Sequence, residues 1–378
     1  MEEIRHLEWD DIPAIVGLLV DTYPEKPASI FTSYLRHQFK LDNAVAFGLW
    51  ANDRLVGVAG AFLRQMRYGK SDLPSAIMGL GAVSPDFRGK GLYRVLVRDM
   101  KQALQKRHIA VAIGFSQDGN RYDSLVNSRV LPLQEFHIKA TGGRKRSYKI
   151  RPVDLSTDLQ ALVDVYNYSD SRCVGAIQRD SSYWLSQPLW SREDQKCFMA
   201  ACDEGGRLCG YIRIKRKRSA NRVVEAVSAT GHEESLVELF EEVAARCPAE
   251  TWLITAPEKH PLSQYALATG GEAIISKAAN VLLVDLNVLI SSAKFEIQSQ
   301  WEAAGRVAGY GRYNTTAGIL EVRALGDTLS FTCKGEANEV ADGSFERLFF
   351  GTSEQSADRF SAALFPQRPF TFWHSDRM

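Results

Sequence analysis

The sequence lacks the features that mark several large classes of protein. None of its apolar runs approaches the roughly 20 residues that a membrane-spanning helix needs. Its 46 basic and 45 acidic residues nearly cancel, so the overall charge predicts binding neither to nucleic acid nor to an anionic membrane surface. The six cysteines contain no CxxC pair and have no histidines beside them at metal-ligand spacing. These absences predict reduced thiols and no metal centre.

The opening segment MEEIRHLEWDD is polar and acidic, unlike the apolar core of a signal peptide. A chain of 378 residues has room for two or three domains with cores of their own. We therefore expect a soluble, cytoplasmic protein with more than one globular domain.

Helical and strand patterns alternate through the first 140 residues. Apolar residues at i+4 steps from Leu92 to Leu104 predict a helix, and the run AVAIGF that follows is typical of a strand covered on both faces. The segment before Leu92 ends a further strand, so a parallel βαβ unit is expected here. The predicted elements are a helix over 9–22, strands over 44–50, 55–63 and 76–83, the helix from 92 and the strand over 110–115.

The rest of the chain divides into two further regions. The basic segment TGGRKRSYK at 141–149 predicts a solvated linker, with a ligand-binding patch as the alternative. The second α/β region has predicted helices over 155–168 and 233–246 and predicted strands over 196–202, 208–213, 252–255 and 279–286. The last region has predicted strands over 319–323 and 328–333, a helical stretch near 345–350 and a helix over 353–364.

The segment Arg88-Gly89-Lys90-Gly91 joins the strand to the helix of the βαβ unit. A helix start carries unpaired N–H groups and a partial positive charge, and glycines let an anion approach the backbone. A phosphate-binding Walker loop would need Ser or Thr after the final Gly-Lys, and a dinucleotide fingerprint would need a third glycine at Arg94. The alternatives are therefore another kind of phosphate site or a tight surface turn.

This stretch resembles the Arg/Gln-x-x-Gly-x-Gly/Ala motif of GCN5-related N-acetyltransferases (GNATs), with Arg88 and Gly91 in its first and fourth places. The resemblance implies that backbone amides at 88–93 hold the pyrophosphate of acetyl-CoA, the co-substrate. It also implies that the strand ending at Val83 leaves its neighbour, that the pantetheine arm lies in the gap, and that an N–H near Val83 polarises the thioester. The implied coenzyme-binding residues are Ala82, Val83, Arg88, Gly89, Lys90, Gly91, Leu92, Tyr93, Ser116 and Asn120.

The whole chain resembles a GNAT subfamily, the Eis-like (enhanced intracellular survival) acetyltransferases. A large residue often follows RGxGL in that group, which accommodates Tyr93 where the general motif has Gly or Ala. The resemblance implies an α/β (α+β) architecture: a catalytic GNAT domain at 1–142, a degenerate second GNAT domain at 143–289 and a sterol-carrier-protein-like domain at 290–378. It also implies a homo-oligomer, a hexamer in this family. It rests on Met66-Arg67-Tyr68-Gly69, Gly175, Arg179-Asp180, Tyr183-Trp184, Gly210-Tyr211, Leu364-Phe365-Pro366, Pro369-Phe370, Trp373 and Asp376.

In Eis-like enzymes the terminal carboxylate of the chain is the general base, a group that belongs here to Met378. The apolar residues of the tail, Phe365, Phe370, Phe372, Trp373 and Met378, favour a docked segment over a frayed end. His374 is a possible substitute base, because its pKa lies near neutrality.

The family's general acid is a tyrosine, but an ungapped alignment places Leu125 at its position. Either the helix is shifted and Tyr122 protonates the leaving thiolate, or this function is lost and Tyr122 packs against the coenzyme. Asp21, Asp376 and Trp373 are the implied substrate-binding residues. Arg377, beside the terminal carboxylate, would repel a polyamine unless an acidic residue neutralises it.

Three functions follow from these observations. The first is acetyl-CoA-dependent N-acetylation of primary amines on a small, possibly cationic and aminoglycoside-like molecule. The second is acyl transfer from an acyl-CoA to lysine or peptide amines of a protein. The third is a catalytically decayed ligand-binding or scaffold protein, which the departures at Tyr93 and Leu125 favour.

Overall fold

The structure is a computed structural model of the 378-residue chain. It describes residues 2–115, 129–139, 147–169, 174–185, 197–216, 220–334, 344–351, 358–368, 370, 371 and 373.

The elements of these residues follow in chain order. The strands are β1 (Glu2–His6), β2 (Ala44–Ala51), β3 (Arg54–Tyr68), β4 (Ser71–Val83), β5 (Val111–Phe115), β6 (Arg129–Ile138), β7 (Lys149–Pro152), β8 (Val174–Ile177), β9 (Phe198–Cys202), β10 (Leu208–Lys215), β11 (Asn221–Ser228), β12 (Trp252–Thr255), β13 (Ala273–Leu283), β14 (Gly309–Thr315), β15 (Gly318–Leu325) and β16 (Thr328–Lys334). The helices are α1 (Ile12–Thr22), α2 (Ala28–Lys40), α3 (Leu92–Lys106), α4 (Leu155–Tyr168), α5 (Ser235–Arg246), α6 (Pro261–Ala268), α7 (Leu286–Ala303), α8 (Ser344–Phe349) and α9 (Arg359–Leu364), with 3₁₀ turns at Trp9–Asp11 and Pro85–Phe87.

The chain divides into two compact units. The first contains Met1–Pro132 and Lys277–Arg368, and the second contains Leu133–Ser276 and Pro369–Met378. Most of the predicted sterol-carrier-like region therefore belongs to the same unit as the predicted catalytic domain. The three-domain division itself stays a prediction.

The main sheet of the first unit has the order β1-β2-β3-β4-β5-β13. Strands β4 and β5 are parallel, and α3 connects them, so the predicted βαβ unit is confirmed. The buried face of α3 carries Leu96, Val97, Met100 and Leu104, the apolar face that the i+4 spacing predicts.

Strand β13 is antiparallel to β5, with Ala279 opposite Phe115 and Leu283 opposite Val111. The prediction of a strand through residue 286 is wrong at its end. The Asp285 side chain accepts the N–H of Val288 at 3.0 Å and caps α7, so helix replaces strand there.

The first unit also contains the three-stranded antiparallel sheet β14-β15-β16. Inward residues of its middle strand, Leu320 and Val322, are fully buried, as is Trp301 of α7. Phe349 of α8 stacks on Tyr68 at the end of β3, with ring centroids 4.4 Å apart. These contacts join the C-terminal sheet and helices to the β3–β4 hairpin.

The sheet of the second unit has the order β6-β12-β11-β10-β9-β7. Strands β11 and β12 are parallel and are connected by α5, which gives a second βαβ unit. Its core contains the fully buried rings of Trp184, Trp252 and Phe240.

A buried ionic cluster also lies in this unit. The carboxylate of Glu225 is 2.6 Å from the Arg179 guanidinium and 3.3 Å from that of Arg213, and it accepts the hydroxyl of Tyr211. The Arg179 guanidinium lies 4.0 Å from the ring centroid of Tyr166. Paired charges and aromatic faces replace the water that these ions lose on burial.

Four cysteines of the second unit, Cys197, Cys202, Cys209 and Cys247, are buried free thiols, as predicted. No helix of the described residues is both long and apolar enough to cross a membrane.

Candidate functional site

Strand β4 pairs with β5 and β3 over different parts of its length. Within the described residues, pairing with β5 runs from Ser75 opposite Val111 to Met78 opposite Gly114, one residue before the described part of β5 ends, and pairing with β3 continues to Val83. The β3–β4 register shifts so that Gly79 has no residue opposite it. Such a bulge bends the strand that contains it, and a glycine inside a strand often marks one. The bulge lies where the predicted divergence of β4 from its neighbour would begin. The divergence itself stays a prediction, because residues 116–119, which would lie beside this part of β4, are outside the described residues.

The hydrogen-bonding pattern shows which backbone groups line the edge of β4 beyond the bulge. The N–H of Ser84 donates to the carbonyl of Val56 in β3 at 2.8 Å. Groups of an antiparallel strand alternate in direction, so Ala82 also faces β3, whereas Gly81 and Val83 direct their N–H and C=O groups to the edge away from β3. A Val83 N–H on this edge is what the family resemblance predicts.

Two side chains bind carbonyl groups on this edge. The hydroxyl of Tyr23, which follows α1, donates to the carbonyl oxygen of Gly81 at 2.8 Å. The Nε of Arg88 donates to the carbonyl oxygen of Val83 at 2.9 Å. Burial raises the pKa of Tyr23 and outweighs the opposing effect of the Arg88 charge.

The turn after β4 presents backbone N–H groups at the start of α3. Gly89 and Gly91 have φ angles of +78° and +74°, a region that residues with a side chain rarely adopt. No heavy atom of the described chain lies within 4 Å of where a Cβ would stand on either glycine. The N–H of Arg88 bonds to Pro85, but among the described residues no acceptor is found for the N–H groups of 89–92. The turn therefore has room and donors for an anion.

Side chains around the turn add charge and fix the helix. Lys90 is exposed, with its Nζ 4.9 Å from the centroid of the Phe87 ring. Leu92 and Tyr93 are half-buried against the core beneath α3. A Cβ on Gly81 would stand 2.8 Å from the Tyr93 hydroxyl oxygen, so Tyr93 lies against β4 beyond the bulge. This contact provides a place for the large residue after RGKGL.

The predicted residues outside this turn are less completely described. The carboxylate of Asp21 is exposed and 3.8 Å from Arg54. Trp373 is 5% exposed in the core of the second unit, against the ring of His260, so its predicted contact with substrate stays a prediction. Ser116, Asn120, Tyr122, Leu125, His374, Asp376, Arg377 and Met378 lie outside the described residues.

The tail is docked at the residues that are described, as predicted. Phe365 is buried in the first unit, and Phe370 and Trp373 are buried in the second. The Thr371 N–H donates to the Val174 carbonyl of β8 at 2.7 Å.

A second anchor of the tail is the ion pair between Arg368 and Glu296 of α7, with 2.6 Å between Nη2 and Oε1. Glu296 also accepts the backbone N–H of Lys70, in the β3–β4 turn, at 2.8 Å. Burial would raise the pKa of Glu296, but the donors around it, including Gln300, outweigh burial and lower it. The anchor is therefore a largely buried pair in which the Glu296 carboxylate is charged at ordinary pH.

The comparisons with known proteins agree with this geometry. Residues 3–125 match the family model described as an acetyltransferase (GNAT) domain. This part of the chain is a GNAT acetyltransferase domain, and the protein is an acyltransferase. No curated protein matches the sequence.

Solved structures resemble the chain over nearly all of its length. A GCN5-related N-acetyltransferase from Anabaena variabilis has a TM-score of 0.72 at 11% identity, with 97% of each chain covered. A conserved Enterococcus faecalis protein, described as a probable N-acyltransferase, has a TM-score of 0.71 at 13% identity, with 99% of this chain and 100% of that chain covered. Eis1 from Mycobacterium abscessus has a TM-score of 0.63 at 16% identity, with both chains fully covered. These likenesses confirm the predicted α/β (α+β) fold.

Proposed function

We propose that the protein transfers the acetyl group of acetyl-CoA to a primary amine of a small molecule. The observation that carries this proposal is the continuity of two features: the N–H groups at 89–92 and the edge of β4 beyond Gly79. The N–H groups at 89–92 suit a pyrophosphate. The edge of β4 leads away from these N–H groups along the strand, as the extended pantetheine arm requires.

In this proposal the Val83 N–H polarises the thioester carbonyl and stabilises the oxyanion that develops when the amine nitrogen attacks. The terminal carboxylate of Met378 takes the proton of the amine. The carbon–sulfur bond breaks as the amide forms, and Tyr122 protonates the departing thiolate. Asp21 attracts a cationic substrate, with Asp376 and Trp373 as further substrate contacts.

The wider assignment follows the Eis-like resemblance. Residues 290–378 form a sterol-carrier-protein-like domain, and the protein is a cytoplasmic homo-oligomer, a hexamer in that family. Its partner is a small-molecule amine, with cationic, aminoglycoside-like amines as one class to test, and neither nucleic acid nor membrane is involved. The contact of Phe349 in α8 with Tyr68 in β3 supports a structural connection between the C-terminal region and the β3–β4 hairpin.

The test is acetyl-CoA binding by calorimetry, with thiol release against a panel of amines, aminoglycosides and peptides. Gly91→Glu should weaken binding by at least about 100-fold, the scale of a like-charge contact in a partly screened site. Gly305→Glu is the matched control, because Gly305 also has a positive φ, +82°, and open space around it. Unchanged affinity in Gly91→Glu would exclude this site, and peptide turnover without amine turnover would favour protein acylation.

A further inference from the structure

The carbonyl groups beside the Val83 N–H are both occupied by side-chain donors. Along the edge of β4 that faces away from β3, the backbone groups alternate in the order Gly81 N–H, Gly81 C=O, Val83 N–H and Val83 C=O. The first carbonyl accepts the Tyr23 hydroxyl, and the second accepts Arg88 Nε. Among the described residues, the β4–β5 pairs end at Met78 and no other backbone acceptor is found for either N–H group.

We infer that Tyr23 is a positioning residue for acyl transfer: by capping the Gly81 carbonyl, it makes this edge present donors alone to the acyl carbonyl. The inference rests on the proposed function and assigns a role to a residue that does not itself contact the reacting atoms. Arg88 caps the other flank of the Val83 N–H in the same way.

The physical reason is the charge that develops in the reaction. An uncapped strand edge offers donors and acceptors in turn, which suits another strand. An oxyanion held by the Val83 N–H would then lie between two carbonyl dipoles whose negative ends face it. The Tyr23 hydroxyl on one carbonyl and the Arg88 guanidinium on the other reduce that repulsion. Donors that are already in place before the reaction stabilise the transition state most effectively, because they need no reorganisation.

Tyr23 is held in place for this role. Its backbone N–H donates to Leu19 at 2.8 Å, and its carbonyl accepts the N–H of Lys26 at 3.0 Å. Its side chain is half-buried, and burial raises its pKa, so the hydroxyl keeps its proton at neutral pH. The cap is therefore present throughout the ordinary pH range.

The experiment compares wild type with Tyr23→Phe, which keeps the ring and removes only the hydroxyl. We expect kcat to fall by about tenfold, the effect of one neutral hydrogen bond, with the Kd for coenzyme A changed by less than about twofold. Bound acetyl-CoA carrying a ¹³C-labelled thioester carbonyl should show a smaller infrared shift of its carbonyl band than in wild type. Tyr313→Phe is the matched control, because that hydroxyl also makes one 2.8 Å bond, to Ser361, in the same unit.

Each other result would overturn the inference. An unchanged kcat and carbonyl band in Tyr23→Phe would show that the hydroxyl only packs. A loss of the alkaline limb of the pH–rate profile would show that Tyr23 transfers a proton, since a cap leaves the profile parallel to that of wild type. If wild type itself bound no acetyl-CoA, the proposed function would fail together with the cap, whereas the first two results leave that function intact.

Discussion

Both compact units contain a strand with a few parallel pairs to one neighbour followed directly by a bulge against the other. In the first unit the described parallel pairs end at Met78, and Gly79 has no residue opposite it on β3. In the second they end at Val223, and Val224 has no residue opposite it on β10. The same bulged strand is thus built once with glycine and once with valine.

The likeness extends to the carbonyl two residues beyond each bulge. In the first unit the Gly81 carbonyl accepts the Tyr23 hydroxyl at 2.8 Å. In the second the Ala226 carbonyl lies 3.1 Å from the Nε2 of His260. The other ring nitrogen of His260 accepts the N–H of Leu262, so Nε2 carries the proton in the neutral ring.

The two units differ in the turn that follows. The first has the cations Arg88 and Lys90 before its helix, whereas the second has Glu233 and Glu234. Glu233 accepts the N–H of Gly231 at 3.1 Å, so a carboxylate of the chain itself occupies a donor at this helix start. The bulged strand is therefore common to both units, and the charges of the turn decide whether the helix start suits an anion.

The largest effect is expected at the end of the chain, because in the proposed mechanism the terminal carboxylate of Met378 is the general base. Appending a few residues replaces the terminal carboxylate with a neutral amide. We expect thiol release at saturating acetyl-CoA to fall on the order of 10²- to 10⁴-fold. Met378→Phe, which keeps the carboxylate in place, should retain the rate. If the extended protein were as fast as the original, the general base would be His374 or water instead of the terminal carboxylate.

The second-largest effect is expected on the stability of the second unit, with no change in coenzyme binding. Glu225→Ala leaves Arg179 and Arg213 buried without their shared carboxylate, which should cost about 3–5 kcal/mol of unfolding free energy. Denaturant unfolding measures this cost, and calorimetry should show unchanged acetyl-CoA affinity. Asp327→Ala breaks the exposed pair with Arg306 and is the control, with no measurable loss expected. A folded Glu225→Ala protein with much weaker affinity would assign the coenzyme to the second unit.

The two capping side chains should respond differently to pH. Burial lowers the pKa of His260 to about 4, so between about pH 6.5 and 4 the unfolded chain binds a proton that the folded chain does not. Stability should therefore fall by about 2 kcal/mol between pH 7 and 5. Tyr23, with its raised pKa, contributes nothing in this range.

His260→Asn should remove this part of the pH dependence, because asparagine can cap α6 without titrating. Unfolding curves at pH 5, 6 and 7 measure it in both proteins. Parallel pH profiles for wild type and variant would mean that His260 is protonated in the folded state.

The smallest effect concerns the exposed Asp21. Its 3.8 Å pair with Arg54 is too exposed to stabilise the fold measurably. Asp21→Asn should raise KM about two- to threefold for a multiply charged amine at low salt, and the difference should vanish at high salt. Asp53→Asn serves as the control. An equal change in KM for a neutral acceptor would show that Asp21 does not act through its charge.

The sequence predicts the frame of the first site well because that frame is made of local signals. The strand, the turn at 84–91 and the helix from Leu92 each follow from hydrophobic spacing and glycine positions. The strands predicted over 44–50 and 55–63 are also found, joined by a tight turn in which Asn52 and Asp53 have left-handed φ angles.

The features that could not be predicted from the sequence depend on contacts between residues that are far apart in the chain. Nothing near Tyr23 indicates a bond to Gly81, 58 residues away. The glycines at 79 and 81 were a usable signal for the bulge, since glycine inside a strand often marks one. The pairing of β13 with β5 had no local signal, because an apolar run predicts a buried strand without indicating its partner.

That arrangement of β13 has a consequence for how the protein is made on the ribosome. The β5 edge is apolar, and the strand that covers it ends at Leu283. At 5–20 residues per second, on the order of ten to thirty seconds separate the synthesis of β5 from that of its cover. During that interval the nascent acetyltransferase domain has an exposed strand edge, which invites pairing with other chains. We therefore expect a fragment ending near residue 142 to aggregate during expression, and co-expression of residues 277–368 to rescue its solubility.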